Sequence, residues 1–226
     1  MGAIDWVIAT FNEWSGTLLQ MATGSLVTLQ LFAITLALSI PIGFALTLAY
    51  MSKNKLVQKA TGFYILVMRG TPLLLQVFFM YYGLPYLPFI GKYILFDRFT
   101  ACAVAFVLNY AAYFAEIFRG GLLAVDKGQF EASKVLGLNR FQTLTKIVIP
   151  QMVRVSLPSI SNEAIILVKD TALAAAISVV DLMHVTKGIV SREANILPFA
   201  IAAIFYLAMS YVLTVVFRRL EKKFAF

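Results

Sequence analysis

Apolar residues run through this chain in blocks too long and too continuous for a soluble domain. Ser25 to Tyr50 contains no Asp, Glu, Lys or Arg. At ~1.5 Å of rise per residue it reaches across a hydrocarbon core of about 30 Å. Pro41 and Gly43 predict a kink within it, which membrane helices tolerate. Similar blocks follow at Gly62–Leu84, Phe99–Phe118 and Ile196–Val216. A further block is shorter and broken. Leu157–Val168 spans about 18 Å as a helix, too little to cross alone, and Lys169-Asp170 separates it from Leu173–Val180. These two pieces read as one discontinuous span, five spans in all. Before Gly24, residues Trp6, Phe11, Trp14, Leu18 and Met21 fall mostly on one side at helical spacing, and Asp5, Asn12 and Glu13 fall off it. That pattern predicts a helix lying in the membrane interface over 1–24, with tryptophan at headgroup depth.

The polar stretches between blocks read as loops: Lys53 to Lys59, then Pro85, Pro88 and Gly91 as a turn, then 119–154, then Asp181–Glu193 with the single histidine, His184. The fold class is therefore all-α integral membrane, a single transmembrane domain over 1–226, with no internal repeat. Composition agrees. Hydrophobic residues make up 61% and charged residues 13%, against roughly 45–50% and 25% in soluble domains.

A net charge of +8 raises nucleic acid as a partner, but the cations sit in loops beside apolar blocks, where a membrane face explains them. On one side lie thirteen: Lys53, Lys55, Lys59, Arg119, Lys127, Lys134, Arg140, Lys146, Arg154, Arg218, Arg219, Lys222 and Lys223. On the other lie four: Lys92, Arg98, Lys187 and Arg192. Cations stay cytoplasmic, so the N-terminus is expected outside and the C-terminus inside. One cysteine, Cys102, excludes an intrachain disulfide. No signal-peptide pattern, Cys/His metal cluster or Walker-type glycine loop is visible, so neither a metal nor ATP is expected on this chain.

The basic loop 119–154 is the expected cytoplasmic coupling element. Glu131–Gly137 reads as a short helix stopped at Gly137, which takes the left-handed cap without a Cβ penalty. A second run, Arg140–Ile149, is punctuated by Pro150. A short, partly apolar helix on an aqueous face suits a groove on a partner, while a solvated connector remains the plain alternative.

Glu131, Ala132, Gly137, Ile147 and Pro150 stand at the spacing of the EAA loop of ABC-transporter permeases, with Ser133 for the third small residue and Ile149 for the leucine. The flanks Met68–Pro72, Ala111–Gly121, Lys127–Gln129 and Leu167–Thr171 extend the likeness. From about Ser25 to Lys223 the chain resembles the polar amino acid uptake permeases of the histidine, glutamine, arginine and cystine type. The resemblance implies a type I ABC importer permease fold in a bacterial inner (cytoplasmic) membrane. It implies two ABC ATPase subunits that bind the ATP and Mg, a second permease subunit (identical or homologous) and an extracytoplasmic solute-binding protein. It also implies that Glu131, Ala132, Ser133, Val135, Leu136, Gly137 and Leu138 dock the ATPase.

Ionisable groups inside apolar blocks mark candidate sites. Glu163 is read as a ligand for a substrate cation, or else as a structural partner of Arg69, Lys169 or Arg154. Asn162, Ser161 and Ser159 share its cavity wall or bond between helices. At Arg69-Gly70-Thr71-Pro72 the apolar block breaks. Pro72 suits the first position of a half-helix whose free N–H groups attract a carboxylate, with Thr71 adding a hydroxyl and Gln76 one turn on. A plain kink with Arg69 held by a neighbouring acid is the alternative. Lys169-Asp170 reads as a gating or structural pair, because adjacent opposite charges satisfy one another. Asn109, Tyr110, Tyr113 and Glu116 read as helix packing and subunit contact more than substrate contact.

The expected function is the permease subunit of an ATP-driven importer, moving a basic or neutral polar amino acid inward by alternating access. The alternative is an energy-independent channel or a membrane-embedded enzyme. An enzyme needs a nucleophile–base or metal constellation, and none is visible.

Overall fold

The computed structural model describes residues 3–88 and 91–224, with side chains from residue 14 onward except residue 92. The described residues are helical, with no strand among them. Nine α-helices occur there: α1 (Ala3–Tyr50), α2 (Lys55–Gly70), α3 (Leu73–Phe78), α4 (Arg98–Leu123), α5 (Lys127–Val135), α6 (Arg140–Thr143), α7 (Ile149–Asp170), α8 (Leu182–Glu193) and α9 (Leu197–Phe224). A π-turn continues α3 over Phe79–Gly83, another joins α6 to α7 over Leu144–Val148, and a 3₁₀ helix continues α7 over Thr171–Ile177.

The stretch Trp14–Tyr50 of α1, together with α4 and α9, is long and apolar enough to cross a membrane by itself. The pair Lys55–Gly70 and Leu73–Tyr86 passes the same test of length and apolar character together, bent by 105° between its two halves. Helix α7, where the sequence placed a discontinuous fifth span, is a continuous helix that is not apolar enough to pass that test. Its charged residues Arg154, Glu163, Lys169 and Asp170 keep it from matching the apolar pattern of the others.

The core of the fold is α4 against α1. In a bilayer, helices gain little from leaving lipid, so they associate where small residues let backbones approach. Gly43 is such a contact. A Cβ there would stand 2.7 Å from Cβ of Phe114 and 2.9 Å from the Ala111 carbonyl oxygen. One turn on, the Thr47 hydroxyl lies 2.8 Å from the Ala115 oxygen and 2.9 Å from the Gly43 oxygen, and donates into this seam. Phe106, Tyr110 and Phe114 of α4 are fully enclosed. Helix α2 joins this core through the Tyr64 hydroxyl, which donates to the Leu108 oxygen at 2.6 Å. Helix α7 packs between α4 and α9. Helix α9 buries little against the rest of the chain: Phe199, Ile204, Leu207, Tyr211 and Val212 stay exposed.

Four boundaries differ from the sequence expectation. No break occurs at Gly24. From Ala3 the chain is one uninterrupted helix to Tyr50, with Pro41 inside it; the side chains of Trp6 and Phe11 lie outside the described ones. Pro150 does not end the run from Arg140. It sits in the first turn of α7, where its missing N–H costs nothing. Leu157–Val168 is accordingly the middle of a 22-residue helix, about 33 Å long, and Pro158 lies inside it. The pattern-based boundary was set by the polar residues in the first half of α7, Gln151, Arg154 and Ser156. Finally, Asp181–Glu193 is not a loop. Asp181, fully buried, accepts the His184 N–H at 2.9 Å and so caps α8, whose residues Leu182, Thr186 and Ile189 pack inward. His184 is thus a first-turn helix residue.

At the opposite end of the chain's charge asymmetry, Asp97 caps α4 through the Phe99 and Thr100 amides at 3.0 and 3.2 Å. The Thr100 hydroxyl donates to it as well, and these bonds hold the carboxyl below the usual carboxylate range.

Candidate functional site

Helix α2 ends because Pro72 offers no N–H and forces the preceding residue out of the helical region. Thr71 is extended (φ −117°, ψ 146°), and its amide and hydroxyl both return to the Val67 oxygen, at 3.1 and 2.8 Å. The chain then turns sharply into α3. A polar network fixes that turn. The Gln76 amide nitrogen donates to the Met68 oxygen (2.9 Å) and the Thr71 hydroxyl (2.8 Å). The Asn109 amide nitrogen donates to the same Met68 oxygen (2.8 Å) and to the Gln76 amide oxygen (3.0 Å). Both sides of the break are therefore tied to α4. Gln76, expected as a substrate contact, has its amide groups engaged in holding the break.

Beside the break opens a cavity of about 500 Å³. It is lined by Arg69, Gly70, Thr71, Pro72 and Leu73 of the break, by Asn109, Tyr110 and Tyr113 of α4, and by Glu163, Ile166 and Asp170 of α7. The α7 residues recur at i, i+3 and i+7, one helical face. Glu163, Gly70, Thr71 and Pro72 thus come together as the sequence suggested. Ser161 does not join them. It lies two residues from Glu163, on the far side of α7, where its hydroxyl donates to Glu221 Oε1 at 2.7 Å. Ser159 and Asn162 are exposed and outside the lining. Ser159 sits one turn below Glu163 on nearly the same face.

The charges are unevenly matched. Arg69 Nη1 is 3.9 Å from Glu116 Oε2 and its guanidinium lies 5.3 Å from the Tyr113 ring centroid. Glu116 also takes both Nε (3.1 Å) and Nη2 (2.7 Å) of Arg119. Arg69 is therefore held by a neighbouring acid while still lining the cavity. Glu163 has no ion pair within 4.0 Å among the described residues. Asp170 makes no ion pair with Lys169 within 4.0 Å. Its Oδ2 accepts the Tyr110 hydroxyl at 2.7 Å, and Lys169 is exposed. The reason is geometric: neighbours on a helix point about 100° apart, so adjacency in sequence does not make a pair.

Asn109 and Tyr110 make interhelical bonds, as helix packing requires, and with Tyr113 they also line the cavity. The available signal was their spacing, which puts polar groups on one stripe of an otherwise apolar span. Among the described residues no group of three or more His, Cys, Asp or Glu side chains is arranged to hold a metal.

The loop 119–154 carries the second feature. Helix α5 starts at Lys127, earlier than Glu131, with Asp126 capping Gly128. It closes at Gly137 in the left-handed region (φ +72°), where the Leu138 amide bonds back to the Ser133 oxygen at 2.9 Å. Val135 and Leu136 are 88% and 75% exposed, and Phe141 follows at 74%. Glu131, Ala132 and Gly137 share this exposed side, whereas Ser133 is buried, its hydroxyl donating to the Phe130 oxygen at 2.9 Å.

Residues 39–226 match the family described as binding-protein-dependent transport system inner membrane component. The octopine transport system permease protein of Rhizobium radiobacter is 37% identical over 91% of this chain and 86% of its own length. The arginine ABC transporter permease protein of Haemophilus influenzae is 35% identical over 94% of each. A chain of a crystal structure of an amino acid ABC transporter with histidines superposes with a TM-score of 0.84 at 30% identity, covering 94% of this chain and 98% of that one.

Proposed function

The chain belongs to the family of binding-protein-dependent transport system inner membrane components, and on that premise we propose that it carries a polar amino acid, basic or neutral, through the cavity at its broken helix into the cytoplasm. It is a permease subunit of an ABC importer, without a catalytic site of its own. The observation that carries the substrate reading is the cavity itself: two acids and an arginine converge at a helix break inside membrane-spanning helices. Such groups are costly in lipid and are kept where they bind something. An amino acid brings the complementary charges. Its ammonium suits Glu163 and its carboxylate suits Arg69 and the first free amides of α3. Ser159 and Asn162, exposed on α7, would meet the solute further along its path.

The working unit is two permease subunits, identical or homologous, with two ATPases below and a solute-binding protein above. The exposed Val135 and Leu136 at the end of α5 are suited to a groove in the ATPase, with Glu131, Ala132, Gly137 and Leu138 around them. ATP and Mg belong to that partner. Closure of the ATPases would favour one arrangement of the spans over another, which is what couples hydrolysis to access. Loop 119–154 is then cytoplasmic and the N-terminus external, a reading that the distribution of cations supports.

Orientation has a direct test. In intact cells, single cysteines at Ser15 and Ser191 should react with an impermeant maleimide, and one at Asn139 should react only after lysis. All three side chains are exposed, so access and not burial governs labelling. External labelling at Asn139 would invert the chain and remove the ATPase from the side where α5 lies.

A further inference from the structure

We propose that the ends of α1 and α4 and the start of α2 form a binding site for one anionic phospholipid, with its phosphate at Arg119, Gln58 and Lys55 and an acyl chain along Phe63 and Leu66. The site is separate from the solute cavity at the helix break. A cavity of about 350 Å³ opens there, lined by Tyr50, Met51, Gln58, Arg119 and Leu123. Tyr50 ends α1, Gln58 lies in the first turn of α2, and Arg119 and Leu123 lie in the last turns of α4. Two spans end at this level, which puts the cavity at headgroup depth.

Arg119 is already fixed in place for an anion. Glu116 takes its Nε and Nη2, and the guanidinium carbon lies 5.9 Å from the Tyr50 ring centroid. Nη1 has no acceptor among the described residues. Glu116 does not cancel this charge, because it faces Arg69 as well, at 3.9 Å. Gln58 is exposed, and Lys55, three residues earlier, shares its face of α2. Neither Lys55 nor Lys59 enters an ion pair within 4.0 Å among the described residues. The local sequence offers them no acid, since residues 14–96 contain no Asp or Glu. Phosphate oxygens match a guanidinium, an amide and an ammonium together, and basic pockets between spans suit anionic headgroups.

A soluble phosphate would meet the same donors, and the apolar flank is what favours a lipid. Phe63 and Leu66 are 69% and 68% exposed. With Lys59 they fall at i, i+4 and i+7, one face of α2 that passes from a cation to apolar side chains as the helix enters the span. Met51 and Leu123 are exposed at the cavity itself. That is the order of polarity along a phospholipid, from phosphate to tail. A zwitterionic lipid would bring an ammonium for which the lining holds no acid.

The test uses the permease with its ATPase in detergent, given equal amounts of phosphatidylglycerol and phosphatidylcholine with the same acyl chains. Native mass spectrometry counts the lipids that each complex retains. Phosphatidylglycerol should be retained at least ~10-fold over phosphatidylcholine, the scale of a charge-assisted hydrogen bond. Arg119→Gln should bring the two lipids within about twofold, and Lys55→Gln with Lys59→Gln should narrow the preference part of the way. If Arg119→Gln does not assemble, Leu123→Trp decides the matter, since it fills the cavity, alters no charge and should cost the same preference. Arg218→Gln with Lys222→Gln removes two exposed cations from α9 and should change nothing. Equal retention of the two lipids by the native complex overturns the proposal, and so does an unchanged preference in Arg119→Gln or, failing that, Leu123→Trp. A loss in the α9 variant as large as in the Lys55 and Lys59 variant overturns it too, because the attraction is then to basic surface in general. Displacement of phosphatidylglycerol by an equal concentration of glycerol 3-phosphate would make this a site for soluble phosphate and overturn the lipid assignment.

Discussion

A permease with Val135→Asp and Leu136→Asp together should reach the membrane folded and fail to retain its ATPase. These two side chains close α5 and project into solvent, more exposed than other large apolar residues of loop 119–154. They support nothing within the chain, so their replacement leaves the fold intact. Burying each in a partner groove is worth about 1.5–3 kcal/mol. The new carboxylates would have to be desolvated on docking as well. Loss of more than ~100-fold in ATPase affinity follows, read by co-purification and by ATP-driven uptake. Gly137→Val probes the same element by another route. Open space surrounds Gly137, so no clash arises, and the cost is that of a β-branched residue forced to φ +72°. Retained ATPase and normal uptake in the double variant would reduce α5 to a connector.

Glu163→Gln should assemble with its ATPase and lose most solute-dependent turnover. The side chain lines the cavity and has no ion pair within 4.0 Å among the described residues, so its charge is not spent on holding the fold. Glutamine keeps the size and one acceptor oxygen. Removing the charge from one charge-assisted contact costs about 1.5–3 kcal/mol, or roughly ten- to hundredfold in turnover at limiting solute. The measurement is ATP hydrolysis by the complex in nanodiscs, with the binding protein and rising solute. Unchanged stimulation would show that Glu163 does not meet the substrate.

The spans were legible because a run free of charge such as Ser25–Tyr50 has few alternatives to crossing a membrane. The break at Thr71–Pro72 was legible for a local reason, since proline sets its own backbone and that of its neighbour. The cap at Gly137 was legible for the same kind of reason. Helix α7 was harder. Its charged face imitates loop composition, and only the tertiary contacts with α4 and α9 explain why it stays helical from Ile149. Helix α8 was missed because its start signal, Asp181, looked like the polar edge of a loop until its burial turned it into a cap. In the cavity, the residues supplied by α7 and the break carried a sequence signal of charge within apolar surroundings. Two assignments needed coordinates. Gln76 holds the break through Asn109, and Asp170 turns to Tyr110 instead of Lys169. Both depend on how helices distant in sequence face one another, which spacing along one helix does not specify.

The central claim is that this chain moves a solute only when ATP is spent beneath it. The most direct measurement is accumulation of labelled arginine by proteoliposomes that hold the permease and its ATPase, with the binding protein on the face opposite the ATPase. The account predicts concentration of arginine above its outside level, requiring both ATP and the binding protein. Arginine that merely equilibrates across the membrane, at the same rate with and without ATP, would contradict it and make the chain a channel.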